Sequence, residues 1–462
     1  MQIFDDLENV KLGRDAVVAI GAFDGVHRGH QHLVKRMRAE ALRSDRLTVV
    51  LTFHPHPSAV LSPDNPPKYL TTPGRKAVLL EQLGVDVLVI LPIDWRLATT
   101  PAYEFVRQIQ PPLRMSELWV GADFALGRDR AGGVPQLRQW GEDLGYRVQV
   151  VPPYVWEGEI ISSTRIRQLI FDGKVDEAAR LLNRYHGVAG EVVHGAGRGR
   201  RFGVPTANLR VHHSRAVPAN GIYAVFVVLG EERFQGVANL GRRPSFDNGE
   251  YTIEVHILDF DRDIYGCDVV VEFVRWLRPE RRFESAVELY NQIDEDIRQA
   301  RDILAQEALQ PHLLSFEPGQ PLRACGCSRA RFEELSYTAD VGIRAYGCDL
   351  RDLFVNAAYG MFSLISDLDG LFHTTQHEVE IDSLDRESLL VDWLGELLYI
   401  HDTTSEILID FDIEELTDTH LKGRAYGTHL AKPGLQIKAV TYHDLEIKEA
   451  EAGYSATVVF DI

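Results

Sequence analysis

The sequence predicts a multidomain protein: an α/β doubly wound domain, then a small antiparallel β-barrel, then an α+β domain. Three observations predict that order. Up to about residue 183, apolar strand-like runs alternate with helical patterns, which is the rhythm of a parallel sheet covered on both faces. From His186 to about Pro279 the texture changes to short alternating segments separated by Gly, Pro and Asn, as in a small barrel. The last third differs in composition: residues 328–462 carry 26 acidic and 10 basic side chains (net −16), against 42 and 39 (net −3) for residues 1–327. At 462 residues the chain exceeds one ordinary core.

In the first domain, strands are predicted over residues 17–20, 48–53, 85–90, 118–120 and 147–151. Helices are predicted over 29–44, 74–83, 101–109 and 134–144. In the second, residues 222–228 and 251–257 have strand texture, and a helix over 283–309 closes the barrel. Residues 311–328, with Pro318-Gly-Gln-Pro321, read as a linker. The third domain is expected to hold helices over 350–365 and 387–399. The expected domain limits are therefore 1–183, 184–310 and 329–462.

Composition also excludes classes of function. Hydrophobic residues make up 45% and charged residues 25%, as in globular proteins. Without an apolar run of membrane-spanning length or a basic segment leading into an apolar one, neither a membrane span nor a signal peptide is expected, and the predicted location is cytoplasmic. Cysteines at 267, 325, 327 and 348 are too few and scattered for a disulfide framework. So acidic a last third suits RNA binding poorly, because phosphate backbones are held by Lys and Arg. Any link to nucleic acid is expected to run through a protein partner, with no direct binding.

The most informative stretch is Gly21-Ala-Phe-Asp-Gly-Val-His-Arg-Gly-His30, between the first predicted strand and the first predicted helix. A helix N-terminus offers unpaired N–H groups and a positive dipole end, and Gly21, Gly25 and Gly29 permit close backbone approach. His27 and His30 add donors for phosphoryl oxygens, so a nucleotide is the expected guest. Zinc fits less well, since no Cys accompanies the histidines and the Glu of a metalloprotease helix is missing.

That decapeptide, with Phe53-His-Pro-His-Pro57, Gly121-Ala-Asp-Phe-Ala-Leu-Gly127, Arg130-Ala-Gly132 and Ile161-Ser-Ser-Thr-Arg-Ile-Arg167, resembles in order the FAD synthetase half of bacterial bifunctional riboflavin kinase/FAD synthetases. The resemblance implies that the FMN phosphate attacks the α-phosphorus of ATP. Such a reaction needs in-line placement and charge neutralisation more than a protein nucleophile. By the same resemblance His27 and His30 stabilise the transition state, and Gly21, Phe23, Asp24, Gly25 and Gly29 belong to the ATP and phosphate site. Ser162, Ser163, Thr164 and Arg165 form a phosphate clamp at the start of a helix, and Asp123 and Arg130 contact the nucleotide.

The barrel opens with Arg198-Gly-Arg-Arg-Phe-Gly-Val-Pro-Thr-Ala-Asn208, which lacks the ending of a Walker loop. In an extended segment Thr206 and Asn208 share one face, a hard-oxygen site suited to Mg²⁺ with ATP. Gly221-Ile-Tyr-Ala, Asn239-Leu-Gly-Arg-Arg-Pro-Ser-Phe246, Glu254-Val-His-Ile-Leu-Asp259, Asp263-Ile-Tyr-Gly266 and Leu277-Arg-Pro-Glu-Arg-Arg-Phe283 are similar to riboflavin kinases. The resemblance makes riboflavin the substrate and Glu254 the general base.

In the last domain, Tyr337-Thr-Ala-Asp-Val-Gly342, Leu353-Phe-Val-Asn-Ala-Ala358, Leu389-Leu-Val-Asp-Trp-Leu394, Ile437-Lys-Ala-Val-Thr-Tyr-His443 and Val459-Phe-Asp-Ile462 resemble archeases. Archeases activate an RNA ligase of tRNA splicing and RNA repair, which implies such a ligase as partner. The resemblance also implies a Ca²⁺ or Mg²⁺ site at Asp340, Asp461 and the terminal carboxylate of Ile462, oxygen ligands that repel one another without a cation. Tyr337 departs from the His of many archeases. The alternative expectation is a domain that is only structural or mediates protein interaction.

Overall fold

A computed structural model of the chain describes residues 1–64, 66–127, 130–194, 204–242, 251–307, 331–336, 340–368, 371, 373–429, 434–443, 445–450 and 453–462. The first domain is built on a sheet whose strands lie in the order Gln2–Phe4, Val87–Pro92, Leu47–His54, Ala16–Ile20, Met115–Gly121, Arg147–Val151. Every pairing in it is parallel. Ala16–Ile20 is buried along its whole length, as a strand covered on both faces must be. The chain runs outward from this strand to one side and later resumes on the other, at Met115–Gly121. The carboxyl ends of these two strands therefore flank the topological switch point, where open α/β sheets bind ligands.

The predicted helices appear as Arg28–Arg43, Pro73–Gln82, Ala102–Ile109 and Val134–Leu144. The strand expected from residue 85 starts only at Val87, because the Val85 N–H is spent on Leu80 O in the turn that ends the preceding helix. Gln2–Phe4 was not expected; three residues on a sheet edge carry no readable period. Two further helices, Ser163–Phe171 and Val175–Leu182, pack through Ile166, Ile170, Ala178, Leu181 and Leu182.

The second domain is a closed barrel ordered His186–Val193, Ala207–Arg210, Tyr251–Ile257, Glu232–Arg242, Gly221–Leu229, Asp268–Arg278. All its pairings are antiparallel. Helix Ala286–Glu307 covers one side, burying Ala300 and Leu304 against Ala224, Phe226 and Val274. The third domain is α+β. One sheet joins Phe332–Ser336, Val341–Gly347, Gly453–Asp461 and Ala439–Thr441, and another joins Thr375–Asp382, His420–Thr428 and Ile407–Leu416. Helices Leu350–Ile365 and Arg386–Thr404 supply Phe354, Phe362, Trp393 and Leu397 to their core.

The domains touch through specific contacts. Tyr69 pairs its backbone with Ser214 and Ala216 of the barrel, and Lys68 Nζ donates to His213 O. The third domain meets the first where Asp5 accepts from Thr374 Oγ1 (2.6 Å) and His429 N (2.9 Å). It meets the barrel through Arg331 on Asp268 and Asp367 on His212. Cys267 is buried and Cys348 is disulfide-bonded. Cys325, Cys327 and the expected linker lie outside the described residues.

Candidate active sites

The decapeptide forms a strained turn pinned from all sides. Phe23, Gly25 and Val26 all adopt positive φ (48°, 81° and 38°), and for a β-branched residue such as Val26 this is a genuine outlier that persists only where the surroundings over-determine it. The pins are visible. Ala22 O accepts from Lys76 Nζ (2.8 Å) and Thr52 Oγ1 (3.0 Å), Asp24 O from Ser163 Oγ (2.8 Å), Gly25 O from Arg184 Nη2 (2.7 Å) and Val26 O from Gln31 Nε2 (2.9 Å).

Asp24 is the hub. Its carboxylate, 2% exposed, accepts from the Leu70 and Thr71 amides, Thr71 Oγ1 and Arg167 Nη2 (2.7 Å). Burial, the largest single influence, would raise this carboxyl, yet the charges of Arg167 and Lys76 and the bonds from Leu70 N and Arg167 together hold it below its ordinary value. Those bonds engage both carboxylate oxygens within the protein, under the loop. Phe23 likewise turns its ring into the core, 5.0 Å from the ring of His30.

His27 caps the helix: its Nδ1 accepts from His30 N, so its proton sits on Nε2. The two imidazoles stack with centroids 3.7 Å apart. A Cβ on residue 29 would lie 3.1 Å from the His27 ring and would press on the cap. Burial lowers His27 to about 4 and His30 well below its ordinary value, so both are neutral at pH 7. Buried Nδ1 of His30 has no partner, a polar atom that a ligand would satisfy.

The other expected residues fall around this turn. Ser162 caps helix Ser163–Phe171 and accepts from Arg165 N, while Arg165 pairs with Glu159; Ser162 and Thr164 are exposed. Asp123 and Arg130 lie exposed beyond the end of Met115–Gly121, and Arg130 Nη2 donates to Asp123 O. Lys76, Arg184 and His56 were missed. His56 is a half-buried imidazole lowered to about 4 by burial, and its charge neighbours are Asp24, Arg167 and Lys76. No local pattern marks Lys76 or Arg184, since their partners are remote in sequence.

In the barrel, register builds the second site. Glu254 on Tyr251–Ile257 stands directly opposite Asn208 on one neighbouring strand and Asn239 on the other. Directly paired residues share a face, so the carboxylate sits between two amides. Asn208 Oδ1 and Asn239 Oδ1 are both buried without a partner. Orphaned oxygens flanking a carboxylate fit a hard cation and hydroxyl donors, and Thr206 stands two residues before Asn208, just ahead of the strand. The expected segments 198–203 and 243–246 lie outside the described residues.

In the third domain, Val341 pairs with Phe460, and continuing that register by one residue sets Asp340 opposite Asp461. Lys438 N donates to Asp461 O and Lys438 Nζ to Ile462 O (2.8 Å). Among the described residues no three His, Cys, Asp or Glu side chains gather as a metal cluster. The donor set would thus be two aspartates and the chain end, with one ammonium already on the latter. Tyr337 lies outside the described residues.

A parallel α/β domain with a pinned turn at a helix N-terminus, joined to a barrel with a carboxylate between orphaned amide oxygens, has the frame of a two-site transferase. Residues 10–165 match the FAD synthetase family, 182–304 the riboflavin kinase family and 332–462 the archease protein family. The chain is 37% identical over 311 residues to the bifunctional riboflavin kinase/FMN adenylyltransferase of Pseudomonas fluorescens, covering 67% of this chain and 99% of that one. It is 36% identical over 288 residues to the Escherichia coli K12 protein of the same description (62% and 92% covered). A solved Streptococcus pneumoniae structure described as a macrolide-efflux protein matches with TM-score 0.61 and 33% identity, over 65% of this chain and 98% of that one. Among the described residues no helix is long and apolar enough to cross a membrane.

The chain belongs to the bifunctional riboflavin kinase/FMN adenylyltransferases and carries an archease domain at its carboxyl end. It is an enzyme with both of those activities.

Proposed function

We propose that the first domain joins FMN to the adenylyl group of ATP at the pinned turn, and that the barrel makes the FMN. An oxygen of the FMN phosphate attacks the α-phosphorus, the bond to the β-phosphate oxygen breaks, and pyrophosphate leaves. His27 and His30, as neutral donors, stabilise charge on the phosphoryl oxygens. The amide of Gly29 and the clamp Ser162, Ser163, Thr164 and Arg165 hold the phosphates, while the amides of Gly21 and Gly25 donate to Leu51 O and Thr71 Oγ1 and fix the turn itself. Asp123 and Arg130 contact the nucleotide. Phe23 and Asp24 shape the turn from beneath.

In the barrel, Glu254 accepts the proton of the terminal ribityl hydroxyl as its oxygen attacks the γ-phosphorus and ADP leaves. Thr206 and Asn208 would hold Mg²⁺, which supplies neutralisation of phosphate charge when bound; the orphaned Asn208 oxygen is the observation favouring it. What chiefly supports the reading is the row Asn208, Glu254, Asn239, which matches a base beside a cation site. Incubation with riboflavin, ATP and Mg²⁺, followed by chromatography, tests both reactions. FMN should appear first and FAD after it; neither product forming would overturn the reading.

The archease domain we assign to activating an RNA ligase through protein contact in the cytoplasm, with Ca²⁺ or Mg²⁺ at Asp340, Asp461 and Ile462. A short C-terminal extension should remove that activation, and calorimetry with Ca²⁺ should detect binding. Full activation by the extended protein would favour a merely structural or interaction domain.

A further inference from the structure

Lys76, on helix Pro73–Gln82, is 6% exposed, an unusual position for an ammonium. Its Nζ donates to Ala22 O at 2.8 Å and to Thr52 Oγ1 at 3.2 Å. Ala22 belongs to the turn that carries His27 and His30, and Thr52 also donates to Ala22 O. An ammonium has three donors, and these bonds use two of them. The charge that acts on it is Asp24, which Arg167 also faces; the imidazoles of His30 and His56 feel the Lys76 charge, and His30 feels that of Arg184 as well. With the histidines neutral, Asp24 faces three cations, Lys76, Arg167 and Arg184, and Arg184 also feels Glu272 on one side and Arg75 and Arg215 on the other.

We propose that Lys76 is a positioning residue for adenylyl transfer: it fixes the Ala22 carbonyl and, while protonated, keeps the base of the turn cationic for the triphosphate. The inference rests on the turn being the ATP site. Two functions meet in one atom. Pinning needs only a donor, which neutral lysine retains, whereas the excess positive charge needs the ammonium. Since buried cations outnumber buried anions here, the site is electrostatically incomplete until a polyphosphate enters. On the side of Thr71 Oγ1 and Tyr69 a further carboxylate, Asp367, acts on Tyr69 and is paired with His212 of the barrel.

Burial lowers Lys76 to about 8, which turns the idea into a pH signature. In the free enzyme the ammonium is lost as pH rises through that value, so kcat/KM for FMN adenylylation should fall on the alkaline side. Lys76→Arg keeps its charge there and should shift this limb to higher pH. Lys76→Met should lower adenylylation by about 10²-fold at pH 7, as expected for one electrostatic group, mostly in kcat. Riboflavin phosphorylation by the same chain reports whether the variants remain folded, together with their Tm.

An adenylylation rate for Lys76→Met within threefold of the parent overturns the proposal. So does an alkaline limb unmoved in Lys76→Arg, or a parallel loss of both activities with a lowered Tm, which would mark Lys76 as merely structural. If the parent chain itself forms FMN but no FAD, the reading of the turn fails before Lys76 is tested.

Discussion

Asp24→Asn isolates the hub of the pinned turn. Asparagine keeps one oxygen for the Leu70 and Thr71 amides but puts an NH₂ donor where Asp24 Oδ2 accepts from Arg167 Nη2. Arg167, with its side chain 13% exposed, and Lys76, 6% exposed, then lose their shared carboxylate. Breaking a buried pair on one side costs about 3–5 kcal/mol. The retained oxygen puts this case near about 3 kcal/mol, and each 1.4 kcal/mol is tenfold in an equilibrium. Local opening around residues 70 and 71 should therefore rise by about 10²-fold. Amide hydrogen exchange at Leu70 and Thr71 measures it directly, because their acceptor is the substituted group. Exchange within threefold of the parent, with only the KM for ATP raised, would refute the clamp and return Asp24 to the nucleotide.

His30→Ala should slow FMN conversion to FAD by about 10²- to 10³-fold and leave riboflavin phosphorylation intact, both read by chromatography. Glu254→Gln should do the reverse: phosphorylation falls by about 10²- to 10⁴-fold, while added FMN is still adenylylated. At the contact between first and third domains, the hydrogen bond to Asp5 raises His429, so its contribution is full below the unfolded value of 6.5 and is lost as pH rises through the raised value. Burial would raise Asp5, but its bonds to His429 and Thr374 lower it, so its contribution is present above the unfolded 3.8 and lost as pH falls through the lowered value. Cross-linking across this contact should be strongest between those limits, and a flat profile would discard the pairing.

The legible parts of this molecule are those whose cause is local. Helix Arg28–Arg43 could be read because its period lies within its own span and its caps, His27 and Ser44, stand directly at its ends. The same holds for the parallel strands, where continuous apolar runs signal burial on both faces. The motifs also marked the residues that gather at the turn, yet not the contacts these residues make. Asp24 lies in the most telling decapeptide of the chain, but its partners are 46 to 143 residues away. Asn239 needed the barrel register before its place beside Glu254 could be seen. Lys76 and Arg184 sit in segments with no chemical pattern at all.

Arg184 also bears on where the first domain ends. Its guanidinium, 5% exposed, donates to Gly25 O in the phosphate turn and to Leu182 O, and Gln31 donates to the same Leu182 carbonyl. The riboflavin kinase match begins at residue 182, and the barrel's first strand only at His186. A cut after residue 183 would thus give the kinase half a residue whose work lies in the other half's active site, and would leave Gly25 O without its pin on a turn already carrying positive φ at Phe23 and Val26. The strain in that turn is held by groups from both sides of the boundary, so we place the physical end of the transferase domain beyond Arg184, within the segment that also starts the barrel.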